Sequence, residues 1–298
     1  MNFLHIGFPK CASSTLQANV FSRLQNYEYI GPASLSNVTG TIQIKQHDES
    51  TLLHNEILSY VLSASNTVPE HLVSSLQKLQ EKRSSYVFSS EWITGIRYQH
   101  NLIDDQLNKL ASIFGYQNTV IMVVRPHLDL LGAMFRDSPR SITSGKSCEN
   151  FDEFYFDCIK HEIFADGLYS SVYKTCNKLF EQVEVFHLTK YSAEDFIHEV
   201  KALLDVSYLD LPVNLQNKGV TRHQYAYLAF IRMFNLSKLP IPKSLKSCVH
   251  EAFLRLLSSG SKYELTFSDQ ILKDAAERFK NDWDFIESKD KIPTRKLK

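Results

Sequence analysis

Residues 3–16 read Phe-Leu-His-Ile-Gly-Phe-Pro-Lys-Cys-Ala-Ser-Ser-Thr-Leu, and this stretch decides the fold class. An apolar run ends at Phe8 and is followed by a short loop of small and polar residues up to Thr15. Apolar residues then recur at helical spacing, at Leu16, Val20, Phe21 and Leu24. A strand, a small-residue loop and a helix in this order are typical of the first β-α unit of an α/β domain.

The rest of the chain repeats this alternation. Three more apolar segments predict strands, at residues 86–88, 120–124 and 183–188, with helical patterns between them. Residues 120–124 are continuously apolar and mostly β-branched, as expected of a central parallel strand. The sequence therefore predicts an α/β fold, a three-layer sandwich around a mainly parallel sheet with a helical C-terminal part. We expect a single domain over 1–288 and a disordered charged tail over 289–298.

Composition narrows the function classes. Lys plus Arg and Asp plus Glu number 33 each, so the net charge is zero, whereas nucleic-acid-binding domains usually carry a basic excess. The five cysteines include no C-x-x-C pair, so the sequence predicts no metal site. An odd cysteine count without a secretory signal indicates reduced thiols and a cytoplasmic location. No segment has the length of apolar sequence needed for a transmembrane helix.

The loop between the first strand and helix is a candidate anion site. Backbone N–H groups of small residues can converge on an oxyanion there, Lys10 adds a positive charge, and Ser13, Ser14 and Thr15 add hydroxyl donors. The Walker A pattern G-x-x-x-x-G-K-[ST] is absent, which argues against an ATPase or GTPase. The alternative is that the serines only cap the helix.

Two other predicted strands end in charged residues. Arg125 follows residues 120–124 and could bind a second phosphate through its planar guanidinium, or make an ordinary surface salt bridge. Glu91 follows Ser89 and Ser90 and could act as a general base, cap the next helix or pair with Arg97. We expect partial burial to raise the pKa of Glu91 if it is the base. Because ligands bind beyond the carboxyl ends of parallel strands, these residues are candidates for one site.

Residues 5–17 resemble the start of a bacterial sulfotransferase family whose pattern is roughly H-I-G-x-x-K-T-G-T-T-x-L-Q. In that family the loop binds the 5′-phosphosulfate of 3′-phosphoadenosine-5′-phosphosulfate (PAPS), on a P-loop-NTPase-like fold. The resemblance implies a nucleotide-binding loop made of Lys10, Cys11, Ala12, Ser13, Ser14 and Thr15. Cys11 replaces the usual Thr or Ser, and Ala12 replaces the usual Gly. Alanine at position 12 predicts a backbone φ that an L-residue can adopt.

The resemblance extends to other segments. It implies that Arg125 binds the 3′-phosphate, although the serine expected eight positions later is Ala133, for which Arg136, Ser138, Arg140 or Ser141 could compensate. The Ser-Ser-Glu run ending at Glu91 is similar to the family's corresponding segment. Asn217, Lys218 and Gly219 match a segment that closes over the nucleotide, with glycine in place of serine; a solvated loop is the alternative. His5 matches the family pattern as a structural residue, and His100, His187 and His223 are weaker candidates for the base.

The implied reaction is direct in-line transfer of a sulfuryl group from PAPS to an acceptor hydroxyl, without a metal. Lys10 and Glu91 are the predicted catalytic residues, and the expected acceptor is a bacterial carbohydrate or glycolipid. A kinase-like phosphotransferase is a weaker alternative, because it needs a Mg²⁺-binding Asp and neither Asp104 nor Asp105 lies at a strand end. A catalytically inactive relative that binds nucleotide, or an interaction protein, is the other alternative.

Overall fold

A computed structural model provides the structure of the chain. It describes residues 1–8, 10–32, 35–36, 43–44, 49–81, 85–91, 93–94, 100–137, 148–162, 168–206, 223, 227, 253, 256–257 and 265–289. The predicted closing segment at 217–219 and the predicted tail beyond residue 289 lie outside these ranges. Most of the predicted helical C-terminal part between residues 224 and 264 also lies outside them.

A five-stranded, all-parallel sheet is the centre of the fold, with strand order β2-β5-β1-β6-β7. Two short strands, β3 and β4, form a separate antiparallel pair. The predicted α/β class with a parallel central sheet is confirmed. The strands are β1 (Phe3–Gly7), β2 (Tyr27–Ile30), β3 (Leu35–Ser36), β4 (Gln43–Ile44), β5 (Ser85–Ser90), β6 (Thr119–Val124) and β7 (Gln182–His187).

Nine α-helices have described bounds, and they are compatible with a three-layer arrangement. Their bounds are α1 (Ser13–Asn19), α2 (Glu49–Val61), α3 (Glu70–Glu81), α4 (His100–Phe114), α5 (His127–Asp137), α6 (Phe151–Lys160), α7 (Leu168–Leu179), α8 (Ala193–Leu203) and α9 (Asp269–Glu287). Gly115 follows the last residue of α4 and has a φ of 76°, which favours glycine.

Burial follows the position of each strand in the sheet. Every residue of β1 and β6, which lie side by side in the middle, is buried. By contrast, three of the four residues in β2 are only half-buried, because this strand pairs with β5 alone among the described strands. The continuous apolar character of β6 is therefore a consequence of being covered on both faces.

The strand order creates a topological switch point beside β1. The chain leaves β1 toward β2 on one side of the sheet and leaves β6 toward β7 on the other. Since β1 and β6 are neighbours, the connections diverge at their carboxyl ends, where sheets of this kind have their ligand-binding crevice. If the crossovers are right-handed, the helices that follow β2, β5 and β6 lie on the same face of the sheet. The contacts of α2 with α4 and of α4 with α7 agree with this arrangement.

Backbone contacts divide the chain into two compact units. The first unit is formed by Met1–Leu130, Glu162–Gln216 and Ala275–Lys298, and it contains the parallel sheet. The second unit is formed by Leu131–His161 and Asn217–Asp274. Its described part has its own aromatic core, in which Phe135 contacts Phe151 with ring centroids 5.6 Å apart and Phe151 contacts Phe267 at 5.0 Å.

Candidate functional site

The loop after β1 contains two residues whose backbone φ is positive. Lys10 and Ala12 both have a φ of 63°, whereas the residues between and after them do not have positive φ. A loop in which residues of positive φ alternate with residues of negative φ can direct backbone N–H groups toward an anion. The Cys11 N–H donates to the Phe8 carbonyl at 3.1 Å and closes the turn. Ala12 occupies the left-handed region, which an L-residue can adopt, as expected, but which glycine adopts at lower cost.

Helix α1 begins at Ser13 and is not capped by a side chain. Its N-cap residue is Ala12, which has no side chain that could accept a hydrogen bond from the first turn. The alternative in which the serines cap the helix is therefore wrong: Ser13 and Ser14 are the first two helical residues. The N–H groups of Thr15 and Leu16 donate to the Ala12 carbonyl at 3.0 and 3.1 Å, so the first-turn N–H groups that could bind a ligand are those of Ser13 and Ser14.

The Ser13 hydroxyl is buried and has no hydrogen-bond partner within the part of the chain that the structure describes. A buried hydroxyl without a partner is costly, so a ligand oxygen that accepts a hydrogen bond from Ser13 would stabilise the loop. Gly7 makes room for it, because a Cβ at position 7 would lie 2.3 Å from Ser13 Oγ. Thr15 is also buried, Ser14 is half-buried, and Lys10 is exposed at the surface of the loop.

Arg125 is the first residue after β6 and reaches the loop after β1. Its Nη1 donates to the Lys10 carbonyl at 2.9 Å, so the bond goes to the backbone of the loop and not to a surface carboxylate. This bond uses one of the five N–H donors of the guanidinium. A second donor, Nε, is buried without a partner among the described residues. Arg125 therefore holds the loop and also has a donor left for a ligand.

Glu91 follows β5 immediately and is half-buried. Its charge acts on the loop: burial raises the pKa of the Cys11 thiol to about 12, with Arg125 lowering that pKa and Glu91 raising it further. The residues that follow β1, β5 and β6 are therefore electrostatically coupled. The next described helix is α4, and residues 92 and 95–99, which include Arg97, lie outside the described ones, so a cap or a pair with Arg97 stays a prediction.

Cys11 is fully buried, and its raised pKa keeps it a neutral thiol at physiological pH. A thiol in this state is neither a nucleophile nor a ligand for an anion. Any contribution of Cys11 to binding must therefore come from the backbone, where its N–H is already bonded to Phe8. Cysteine at this position is compatible with the loop, because the side chain is buried in the core.

The histidines considered as bases are differently placed. His5 is buried in β1, its Nδ1 is 2.8 Å from Ser89 Oγ, and burial lowers its pKa to about 3. Gln17 donates to the same hydroxyl at 3.1 Å, so His5 belongs to a hydrogen-bonded core network. His187 is buried with Nε2 3.2 Å from the Ile286 carbonyl, and His223 is exposed. The side chain of His100 lies outside the description.

The structure leaves part of the predicted site undescribed. Asn217, Lys218 and Gly219, and the compensating candidates Ser138, Arg140 and Ser141, lie outside the described residues. Ala133 and Arg136 are half-buried in α5. Sequence reasoning missed one residue that contacts two of the strand ends, Tyr169 in α7. The signal was weak, since a tyrosine at the start of a helix is usually only a core residue.

Comparison of the chain with protein-family models and with curated proteins finds no match. Among the residues that the structure describes, no group of three or more His, Cys, Asp or Glu could hold a metal ion. In the same residues, no helix is long and apolar enough to cross a membrane.

Proposed function

We propose that the chain is a PAPS-dependent sulfotransferase with a P-loop-like nucleotide site between β1 and β6. The observation that carries the proposal is the hydrogen bond from the guanidinium of Arg125 to a loop that contains two residues of positive φ, at the switch point of the sheet. An anion cradle at one strand end and an arginine at the neighbouring strand end suit a nucleotide that carries two separate phosphate groups.

Two buried polar atoms support the fit of such a ligand. Ser13 Oγ and Arg125 Nε both lie out of contact with solvent, and neither has a partner among the described residues. Both can donate hydrogen bonds, and phosphate and sulfate oxygens accept them. The loop hydroxyls and N–H groups would hold the 5′-phosphosulfate, and Arg125 would hold the 3′-phosphate.

PAPS would supply the sulfuryl group: the acceptor oxygen would bond to sulfur as the bond between sulfur and the 5′-phosphate oxygen breaks, and adenosine 3′,5′-bisphosphate would leave. Lys10, exposed on the loop, would stabilise negative charge that develops where the sulfuryl group leaves, together with the loop N–H groups. Glu91, half-buried after β5, would accept the proton of the acceptor hydroxyl. The acceptor proposed is a hydroxyl of a carbohydrate or glycolipid, and the reaction would take place in the cytoplasm without a metal.

A catalytically inactive nucleotide-binding relative is the alternative function. Two observations favour it: Ala12 occupies a conformation that glycine adopts at lower cost, and Arg125 already donates one bond to the loop backbone. Both features are compatible with a site that binds nucleotide while lacking the exact geometry for transfer. The two functions share the binding step and differ in the chemical step.

Titration calorimetry with adenosine 3′,5′-bisphosphate tests the binding step, with adenosine 5′-monophosphate as the matched ligand that lacks the 3′-phosphate. We expect the bisphosphate to bind at least about tenfold more tightly, since Arg125 would contact the additional group. Equal affinities, or no binding of either, would contradict the proposal. Transfer of ³⁵S from labelled PAPS to glycan extracts then separates an active enzyme from an inactive relative.

A further inference from the structure

Tyr169 contacts both of the strand ends that border the crevice. Its hydroxyl donates to the backbone carbonyl of Arg125 at 2.8 Å, immediately after β6. Its ring packs edge-on against Phe8, immediately after β1, with centroids 4.7 Å apart. Tyr169 and Phe8 are both fully buried, so neither ring can move away without opening the core. One side chain therefore fixes the spacing of the two segments from which the loop and Arg125 extend.

Asp282, from α9, fixes Tyr169 in turn. Its Oδ2 accepts hydrogen bonds from the Tyr169 N–H at 2.9 Å and from His127 Nε2 at 2.8 Å, and its Oδ1 accepts from the Ser170 N–H at 2.7 Å. Two of these donors lie in the first turn of α7, and His127 is the first residue of α5. A single buried carboxylate thus serves as a nonlocal cap for α7 and ties the start of α5 to it.

The surroundings of this carboxylate hold it in place. The His127 ring stacks on Phe279 with centroids 4.4 Å apart and an interplanar angle of 1°, and it also contacts Tyr169 at 4.5 Å. The hydrogen bonds from His127, Ser170 and Tyr169 hold the pKa of Asp282 below its ordinary value despite burial, so the carboxylate is charged at neutral pH. Charged hydrogen bonds of this kind are stronger than neutral ones.

We propose that Tyr169 and Asp282 are positioning residues, which set the place of Arg125 and through it the conformation of the loop after β1. The chain of contacts runs from Asp282 to the Tyr169 N–H, from the Tyr169 hydroxyl to the Arg125 carbonyl, and from Arg125 Nη1 to the Lys10 carbonyl. Neither residue contacts the loop hydroxyls or Lys10 directly in these bonds. The identity of the ligand that the two residues help to bind rests on the proposed function, whereas their effect on the conformation of the loop does not.

Tyr169→Phe tests the positioning role, because it removes the hydroxyl and keeps the ring against Phe8. Tyr155→Phe is the matched control, since that hydroxyl donates to Asp274 Oδ2 at 2.6 Å within the second unit. Both variants lose one tyrosine hydrogen bond, so a purely structural role predicts similar losses of thermal stability and no difference at the loop.

Hydrogen–deuterium exchange of the protein without nucleotide is the first readout. We expect amides of residues 10–16 to exchange about fivefold faster in Tyr169→Phe and at the wild-type rate in Tyr155→Phe. Asp282→Asn keeps the size of the side chain, and we expect it to change the same amides in the same direction. Wild-type exchange at the loop in both Tyr169→Phe and Asp282→Asn would overturn the positioning role.

Nucleotide binding and steady-state kinetics are the second readout. In Tyr169→Phe we expect the Kd of adenosine 3′,5′-bisphosphate and the KM of PAPS to rise about fivefold, with kcat changing less than about twofold. A fall in kcat without a rise in Kd would contradict a role that acts through Arg125. Failure of the wild-type protein to bind the bisphosphate would overturn the proposed function, and the exchange measurement would still decide the positioning role.

Discussion

The Nη1 atom of Arg125 donates a hydrogen bond to the carbonyl oxygen of Lys10 at 2.9 Å, across 115 positions of sequence. The bond joins the first residue after β6 to the loop after β1. These two strands are adjacent in the sheet. The orientation of the loop therefore depends on an arginine far away in sequence. Any change that moves the end of β6 is expected to change the loop as well.

Lys10→Ala tests the charge on the loop. We expect kcat at saturating PAPS to fall by about tenfold or more, because the charge stabilises the transition state more than bound substrate. The measurement is steady-state transfer of ³⁵S from PAPS. Lys78→Ala, at an exposed position in α3, is the matched control and should retain wild-type turnover. Near-normal kcat in Lys10→Ala would remove this residue from the mechanism.

Glu91→Gln tests the general base. The substitution preserves size and removes the ability to accept a proton, so we expect kcat to fall by about a hundredfold or more. The affinity for adenosine 3′,5′-bisphosphate, measured by calorimetry, should change little because the carboxylate is assigned to the acceptor and not to the nucleotide. Unchanged turnover with intact nucleotide binding would exclude Glu91 as the base.

Ala12→Gly tests the backbone of the loop. Ala12 has a φ of 63°, where an L-residue is strained and glycine is not, so we expect an increase of about 1 kcal/mol in the free energy of unfolding. Ala18→Gly, within α1, should do the opposite and lower stability by about 1 kcal/mol. Urea denaturation of the two variants measures both effects. Destabilisation by both substitutions would show that position 12 does not have this conformation in solution.

His5→Asn tests the buried histidine through the pH dependence of stability. The pKa of His5 is lowered from 6.5 to about 3 by burial, so the unfolded chain binds a proton between these values and the folded chain does not. Stability should therefore fall by about 1.4 kcal/mol for each pH unit below 6.5. Asn can keep a hydrogen bond to Ser89 but does not titrate, so the variant should show a shallower decline.

Urea denaturation from pH 8 to pH 4 measures that difference in slope. At pH 8 we expect the variant to be less stable by about 1–3 kcal/mol, because asparagine leaves part of the histidine volume empty. His54, whose pKa is also lowered by burial, should maintain a residual acid dependence in both proteins. Parallel curves for wild type and variant would mean that His5 is not the titrating group.

Much of the sheet could be predicted because burial dictates composition. β6 is covered on both faces and is therefore continuously apolar, which makes its position visible in sequence. β2 was missed because it is a short edge strand with half-buried residues, although Tyr27, Tyr29 and Ile30 have high β propensity. A four-residue segment gives too few positions for its period to separate a strand from a loop.

The residues at the strand ends of the candidate site could be predicted from the sequence, but the contacts between them could not. Lys10, Glu91 and Arg125 could be selected because parallel strands bring their carboxyl ends to one edge of the sheet. The hydrogen bond from Arg125 to the Lys10 carbonyl could not be predicted. Every residue has a backbone carbonyl, and the sequence does not mark which one accepts the bond. The strained φ of Ala12 was also hidden, because alanine itself favours the opposite prediction.

Alkylation of the buried Cys11 thiol can report when the loop separates from the core. In the closed state this sulfur atom is fully covered and uncharged, so an alkylating reagent reaches it only after the surrounding segment separates from the core. The rate at which the reagent labels Cys11, followed by mass spectrometry of the peptide, would therefore measure how often the loop separates from the core. A ligand that binds to the loop should lower this labelling rate.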